Sequence, residues 1–168
     1  MSQVTKIGLT EEEMGVVFGT LSDIKVDLTK TREAESRLRE AQHVGPSSYA
    51  NLEYTFNESY RELKTGLAAV GYKLALAEKE LKLAKSEVIL DKYPEFIKDK
   101  PKSVDNTHTR EAFVNKDENV IKAQDRVDML KALEATLDGK IKVMEKVCAY
   151  MKKSIDLVIR SGINSNKY

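Results

Sequence analysis

Apolar residues recur in alternating steps of three and four along most of this chain. The longest such run lies in residues 115–162: Val120, Ala123, Val127, Leu130, Glu134, Leu137, Ile141, Met144, Cys148, Met151, Ile155 and Val158, with Glu134 its one polar member. That periodicity predicts a single helix over residues 115–161. Asn115 followed by Glu118 is a capping-box pattern that would start it. At the α-helical rise such a helix is about 70 Å long, beyond an ordinary globular helix, and it needs cover along its whole seam. Glu134 is either a register-setting polar group that faces a partner's Lys or Arg, or a sign that the seam shifts to Leu133.

A second seam reads Tyr49, Leu52, Phe56, Tyr60, Leu63, Leu67, Val70, Leu74, Ala77, Leu81, Ala84 and Val88, and predicts a helix over residues 48–91. Two successive steps of four at Phe56 and Tyr60 form a stutter, which locally unwinds a supercoil. Gly66 and Gly71 weaken the middle of this helix and would permit a bend. Upstream, Thr10 and the run Glu11, Glu12, Glu13 predict another helix start, with Met14, Val17, Leu21, Ile24 and Leu28 as its seam. That helix is expected over residues 10–42, its second half a solvated stretch of paired charges. His43-Val44-Gly45-Pro46 ends it, and Ser47 or Ser48 caps the next.

Tyr93-Pro94 is expected to stop the second long helix, leaving residues 92–110 as a basic loop. The expected fold class is therefore all-α: one elongated helical domain over residues 1–168. Its centre is a long antiparallel, coiled-coil-like hairpin of residues 48–91 and 115–161, with the N-terminal helix packed on one half. So slim a hairpin leaves apolar surface uncovered, and the chain is expected to be oligomeric.

Composition narrows the class. A third of the 168 residues are charged and 41% are hydrophobic, with no Trp and three Pro, a coiled-coil profile rather than a disordered one. A net charge of +1 provides no global field toward nucleic acid or membrane. The single cysteine fits a reducing compartment. With neither a signal-peptide run nor a membrane-length apolar stretch, a cytoplasmic protein with no membrane partner is expected.

Catalytic chemistry finds little support. His43 and His108 fall in breaks between helices without metal-ligand spacing, and Cys148 falls on a seam, where a thiol acts as a small apolar group. Phosphate-cradling, zinc-protease and nucleophile-elbow motifs are missing. The expectation is a non-enzyme with no cofactor and no metal.

Charge placement says more. From Lys140 onward seven basic residues stand against two acids, and Lys146, Lys153 and Arg160 are spaced by sevens along one helix face. Residues 1–44 reverse the balance, with eight acids and six bases. Such a stripe either pairs with the acidic N-terminal helix and solvent, or binds phosphates. The loop interleaves Lys92, Lys98, Lys100, Lys102 and Arg110 with Tyr93 and Phe96, and Lys79, Lys82 and Lys85 precede it. Rings that stack on bases beside ammonium groups that hold phosphates are what a single-strand binder needs.

The passage REAFVNKDENVIKAQDRVDMLKALEATLDGK from Arg110, and KKSIDLVIRSG from Lys152, resemble phage recombination mediators of the UvsY type. In that pattern a basic helix passes through a polar loop to a short apolar segment like Ala112-Phe113-Val114. A polar capping segment like Asn115-Lys116-Asp117-Glu118 then opens the long helix. The likeness covers roughly residues 75–162, and residues 1–45 are an extension outside it. It implies a non-enzymatic homo-oligomer, active in DNA recombination and repair inside a bacterial host. Such a protein binds single-stranded DNA, helps displace single-strand binding protein and loads a RecA-type recombinase. The residues alone equally allow a coiled-coil module that binds only proteins, a scaffold or a phage-encoded inhibitor of a host protein.

Overall fold

A computed structural model describes residues 26–165, with side chains described through residue 161. Among these residues the chain is all-α, with no strand. Helices α1 (Thr29–Ser36) and α2 (Leu38–Gln42) precede the long α3 (Pro46–Glu87). A π-helical turn (Val88–Lys92) leads into α4 (Tyr93–Ile97), a 3-10 turn (Lys102–Val104), α5 (Thr107–Val114) and the long α6 (Glu118–Ser165). None of the described helices is long and apolar enough to cross a membrane.

The two long helices match the two heptad seams, and the differences have local causes. The expected helix over residues 10–42 is not continuous where it is described; residues 10–25 lie outside the described part. Residues 26–28 carry no regular structure, because Asp27 turns its carboxylate onto the Thr29 amide at 2.9 Å. A second interruption falls at Arg37, whose amide closes a tight turn on the Ala34 carbonyl while its guanidinium reaches Asn51 and Thr55. Helix α3 opens at Pro46 rather than residue 48. Proline lacks only an amide that has no partner in a first turn, and Ser48 Oγ reaches back to accept from the Gly45 amide. The cap of α6 is Asp117 rather than Asn115: Asp117 Oδ1 accepts from the Asn119 amide at 3.0 Å, while Asn115 ends α5.

Tyr93-Pro94 does not stop the chain's helical course. Pro94 has no amide to offer the turn before it, and the Tyr93 amide bonds to the Val88 carbonyl five residues back. The wider π turn absorbs the missing donor, and Pro94 then sits in the first turn of α4, where it is tolerated. Residues 92–110, expected as a loop, therefore carry α4, the 3-10 turn and the start of α5.

Helices α3 and α6 each contribute to two compact units. The first, over described residues 26–69 and 134–165, holds Leu52, Phe56 and Leu63 of α3 and Leu137, Ile141, Met144 and Met151 of α6 in one core. Here the buried faces are wider than a heptad seam, taking in Thr55 and Ser59 on α3 and Thr136 and Lys140 on α6. Residues of α1 and its cap reach three members of this extra row: Arg37 meets Thr55, Thr31 meets Ser59, and Glu35 meets Lys140. Leu28 has no side-chain oxygen to cap α1, so Glu62 of α3 does that work from a distance. Its carboxylate accepts from the Lys30 amide at 2.9 Å and from the Thr31 amide and hydroxyl, each at 2.7 Å. A carboxylate at the positive end of a helix dipole is favourable on charge as well as hydrogen bonding. Ser59 Oγ donates to Thr31 Oγ1 and completes a buried hydroxyl chain. Further along, Glu35 of α1 pairs with Lys140 of α6, and Tyr150 donates to the Gln42 carbonyl.

Gly66 has a packing role here. A Cβ built on it would lie 2.8 Å from Val26 Cγ1, so the glycine lets the segment before α1 approach α3 closely. The stutter at Phe56 and Tyr60 resolves the same way: Ser59 takes the buried position and Tyr60 is half-buried. At Glu134 the seam shifts. Leu133 is 2% exposed, while Glu134 is half-buried. Val158, expected on the seam, is exposed.

The second unit, Val70–Leu133, packs Val88, Val114 and Val120 together with Leu81, Ala84 and Phe113 around them. Val127 and Leu130 of α6 are also buried, and Lys131 pairs with Glu78 at 3.3 Å.

Lys140 is 4% exposed, so its ammonium depends on Glu35. Glu35→Ala is expected to cost about 2–3 kcal/mol, below the range for a fully buried pair because Glu35 itself is partly exposed. Adding Lys140→Met should return most of that loss, since an apolar side chain of similar length needs no partner. Urea unfolding of the native chain and both variants, followed by helical circular dichroism, checks the order.

Candidate nucleic-acid interface

Residues 92–110 form a small packed structure around three rings. Phe96 and Phe113 lie 4.4 Å apart between centroids and tilted, and Tyr93 meets Phe113 edge-on at 5.6 Å. Tyr93 is 4% exposed, and its hydroxyl donates to Asp105 Oδ1 at 2.8 Å. Burial, reinforced by Asp105, pushes the Tyr93 phenol above its usual range. Arg110 donates to the same carboxylate at 3.3 Å and places its guanidinium 5.2 Å from the Tyr93 ring centre. Asn106 caps α5 by accepting from the Thr109 amide at 3.0 Å, which fixes Arg110 on the first turns of that helix. Lys100 Nζ lies 3.0 Å over the centre of Phe96, a cation–π contact.

The structure thus brings Tyr93, Phe96, Lys100 and Arg110 together, four of the residues expected to touch nucleic acid. Lys98 and Lys102 stand exposed in the same segment. Lys92 is committed to Asp117, whose carboxyl it holds below the usual range against an opposing effect of burial. Lys79 and Lys82 are exposed on α3 and Lys85 is half-buried. Lys146, Lys153 and Arg160 are exposed on α6, in the first unit.

Two expectations change. The Tyr93 ring is inside the protein and its face does not stack on a base. The Phe96 face is half-buried and already carries Lys100. Sequence reasoning also passed over Phe113 and Asp105, which hold the cluster together. Phe113 had a legible signal, since it lies seven residues before Val120 and fourteen before Val127 on the same seam. Asp105 had none, because its role depends on where Tyr93 and Arg110 arrive in space.

Among the described residues no group of three or more His, Cys, Asp and Glu is placed to hold a metal ion. His43 and His108 are exposed. Cys148 is half-buried, and burial pushes its thiol up, away from the reactive thiolate. What this arrangement offers chemically is a set of cations on a rigid base. Comparison with protein-family models, with curated proteins and with solved structures finds no match.

The Asp117 carboxyl is lowered in the folded protein, so its pairing with Lys92 stabilises the fold above about pH 4 and that contribution is lost as pH falls through the lowered value. Asp117→Asn should therefore lower stability above about pH 4 and converge with the native chain toward pH 2, which flattens the acid limb of the profile. Thermal melts between about pH 2 and pH 8 measure this.

Proposed function

We propose that this chain is a non-enzymatic recombination mediator: a homo-oligomer that binds single-stranded DNA, helps displace single-strand binding protein and loads a RecA-type recombinase. The reading places it in the cytoplasm of a bacterial host. The observation that carries it is the cation set of residues 92–110, with Lys98, Lys100 and Lys102 exposed on a base locked by the Tyr93, Phe96 and Phe113 cluster. Cations carried on an ordered segment cost little backbone ordering on meeting phosphates. The resemblance to phage mediators through residues 75–162 supports the same reading.

In this proposal α3 and α6 form an antiparallel hairpin. Contacts within each unit support that direction. In the first, Gly66 lies near Leu137, whereas Glu53 acts on Cys148. In the second, Glu78 pairs with Lys131, whereas Val88 packs on Val120. In each case the later residue of α3 meets the earlier residue of α6.

Binding in this mode is led by phosphates and tolerant of sequence. A second reading, a module that binds only proteins, is favoured by the exposed Tyr54, Leu157, Val158 and Ile159, apolar side chains that a partner could cover. Fluorescence anisotropy with a labelled oligonucleotide decides between the two. Affinity should fall with salt at about −0.7 per phosphate neutralised, and reversing Lys98, Lys100 and Lys102 together to Glu should weaken binding on the order of 100-fold at 0.1 M salt. An oligonucleotide that stays free at low salt would sink the mediator reading and leave the protein-binding one.

A further inference from the structure

The outward face of α3 in the second unit carries a short, self-complementary pattern. Leu83 lies at its middle and is 54% exposed. One turn before it is Lys79 and one turn after it is Glu87, both exposed. Two turns before it is Leu76, 39% exposed, and seven residues after it, in the π turn, is Leu90, 71% exposed. Leucines at sevens on a solvent-facing stripe of a long helix are an unfinished seam. None of these side chains faces the core of its own unit, which is built on Val70, Ala77 and Val88.

We propose that this stripe is the contact between two copies of the chain, which pair antiparallel about a two-fold axis through Leu83. The order Leu76, Lys79, Leu83, Glu87, Leu90 is its own complement when reversed. Under the two-fold, Leu83 meets Leu83 of the second copy, Lys79 meets Glu87 twice, and Leu76 meets Leu90 twice. This is the isologous geometry of closed dimers. A parallel pairing would set Lys79 against Lys79 and Glu87 against Glu87, and like charges across such a seam oppose it. The same charges that exclude the parallel arrangement select the antiparallel one.

The inference rests on the homo-oligomer proposed above and gives it a contact. It also has a consequence for nucleic acid. Lys79, paired with Glu87 of the second copy, leaves the set of cations open to phosphate, and Lys82 and Lys85 remain beside it. Ten residues of helix separate Leu83 from Tyr93, so the two basic segments of a pair would lie roughly 30 Å apart at opposite ends of the contact. One strand that engages both gains by effective concentration. The contact spans only about 20 Å of helix, so the pairing is of the weak, concentration-dependent kind.

Sedimentation equilibrium of the full chain tests this. The weight-average mass should rise with concentration from the 19.0 kDa of one chain to at least twice that. Leu83→Glu should cut the high-concentration mass at least twofold while helical circular dichroism stays unchanged. Lys79→Glu alone should weaken association, and Lys79→Glu with Glu87→Lys should restore it. Leu83→Cys in a Cys148→Ser background should give a disulfide-linked pair on a non-reducing gel. A native chain that stays at 19.0 kDa, or a charge swap that behaves like Lys79→Glu alone, overturns the pairing. So does a Leu83→Glu variant that keeps its mass but melts earlier, which would make Leu83 part of the chain's own fold. Oligonucleotide binding is read separately. Binding by a native chain that fails these tests overturns the pairing and leaves the proposed DNA binding, whereas correct masses without any binding keep the pairing and overturn the mediator reading.

Discussion

A helix of more than forty residues needs lateral cover along its length, and that requirement governs this chain. Helical propensity leaves a long isolated helix only marginally stable, and packing of an apolar face supplies the rest. Helices α3 and α6 both exceed that length. In the first unit α1 and its cap Arg37 add contacts to both long helices, through Ser59 and Thr55 of α3 and Lys140 of α6. Polar residues on these wider buried faces are matched from α1 and its cap: Ser59 by Thr31, Thr55 by Arg37 and Lys140 by Glu35. Among the described residues no buried side-chain nitrogen or oxygen lacks a partner. A narrow apolar seam is thereby widened with polar side chains at little cost, since each replaces its water with a hydrogen bond.

The long helices could be read from periodicity because a heptad repeat sustained over many turns has few other solutions. What the sequence left open lies at places where a third element arrives. Glu134 looked like a seam residue until the wider face shifted burial to Leu133. Gly66 looked like a weak point in α3 and instead gives Val26 room. The interruption at Arg37 follows from hydrogen bonds to Asn51 and Thr55, partners no local propensity can reveal. Pro94 was expected to stop the helix, and instead its missing amide is absorbed by a π turn that carries the chain into α4.

The candidate interface was legible as composition and not as geometry. Lysines interleaved with rings mark residues 92–110 in the sequence, and they do lie in one small structure. The role of each ring was hidden. Tyr93 and Phe96 look equally available in one dimension, but Tyr93 has a hydroxyl that finds Asp105 and a ring that fills the gap beside Phe113. Aromatic residues with a polar handle are buried when that handle meets a fixed acceptor. Asp105 also has a structural role inside this basic segment. That carboxylate is occupied from two sides, by Tyr93 and Arg110, and holds the segment's shape.

The position of Lys100 over Phe96 sets an order of events for the proposed binding to single strands. The ammonium sits over a face of the Phe96 ring, so a base reaches that face only if the lysine moves. A phosphate arriving first provides the means, since a charge-assisted contact to phosphate competes directly with a cation–π contact of about 0.5–1 kcal/mol at an exposed site. Phosphate capture then precedes stacking, and stacking depends on it. A binder built this way discriminates single strands from duplex by the second step, because only an unpaired base is free to follow its phosphate onto the ring. Sequence plays little part in either step of the proposed binding.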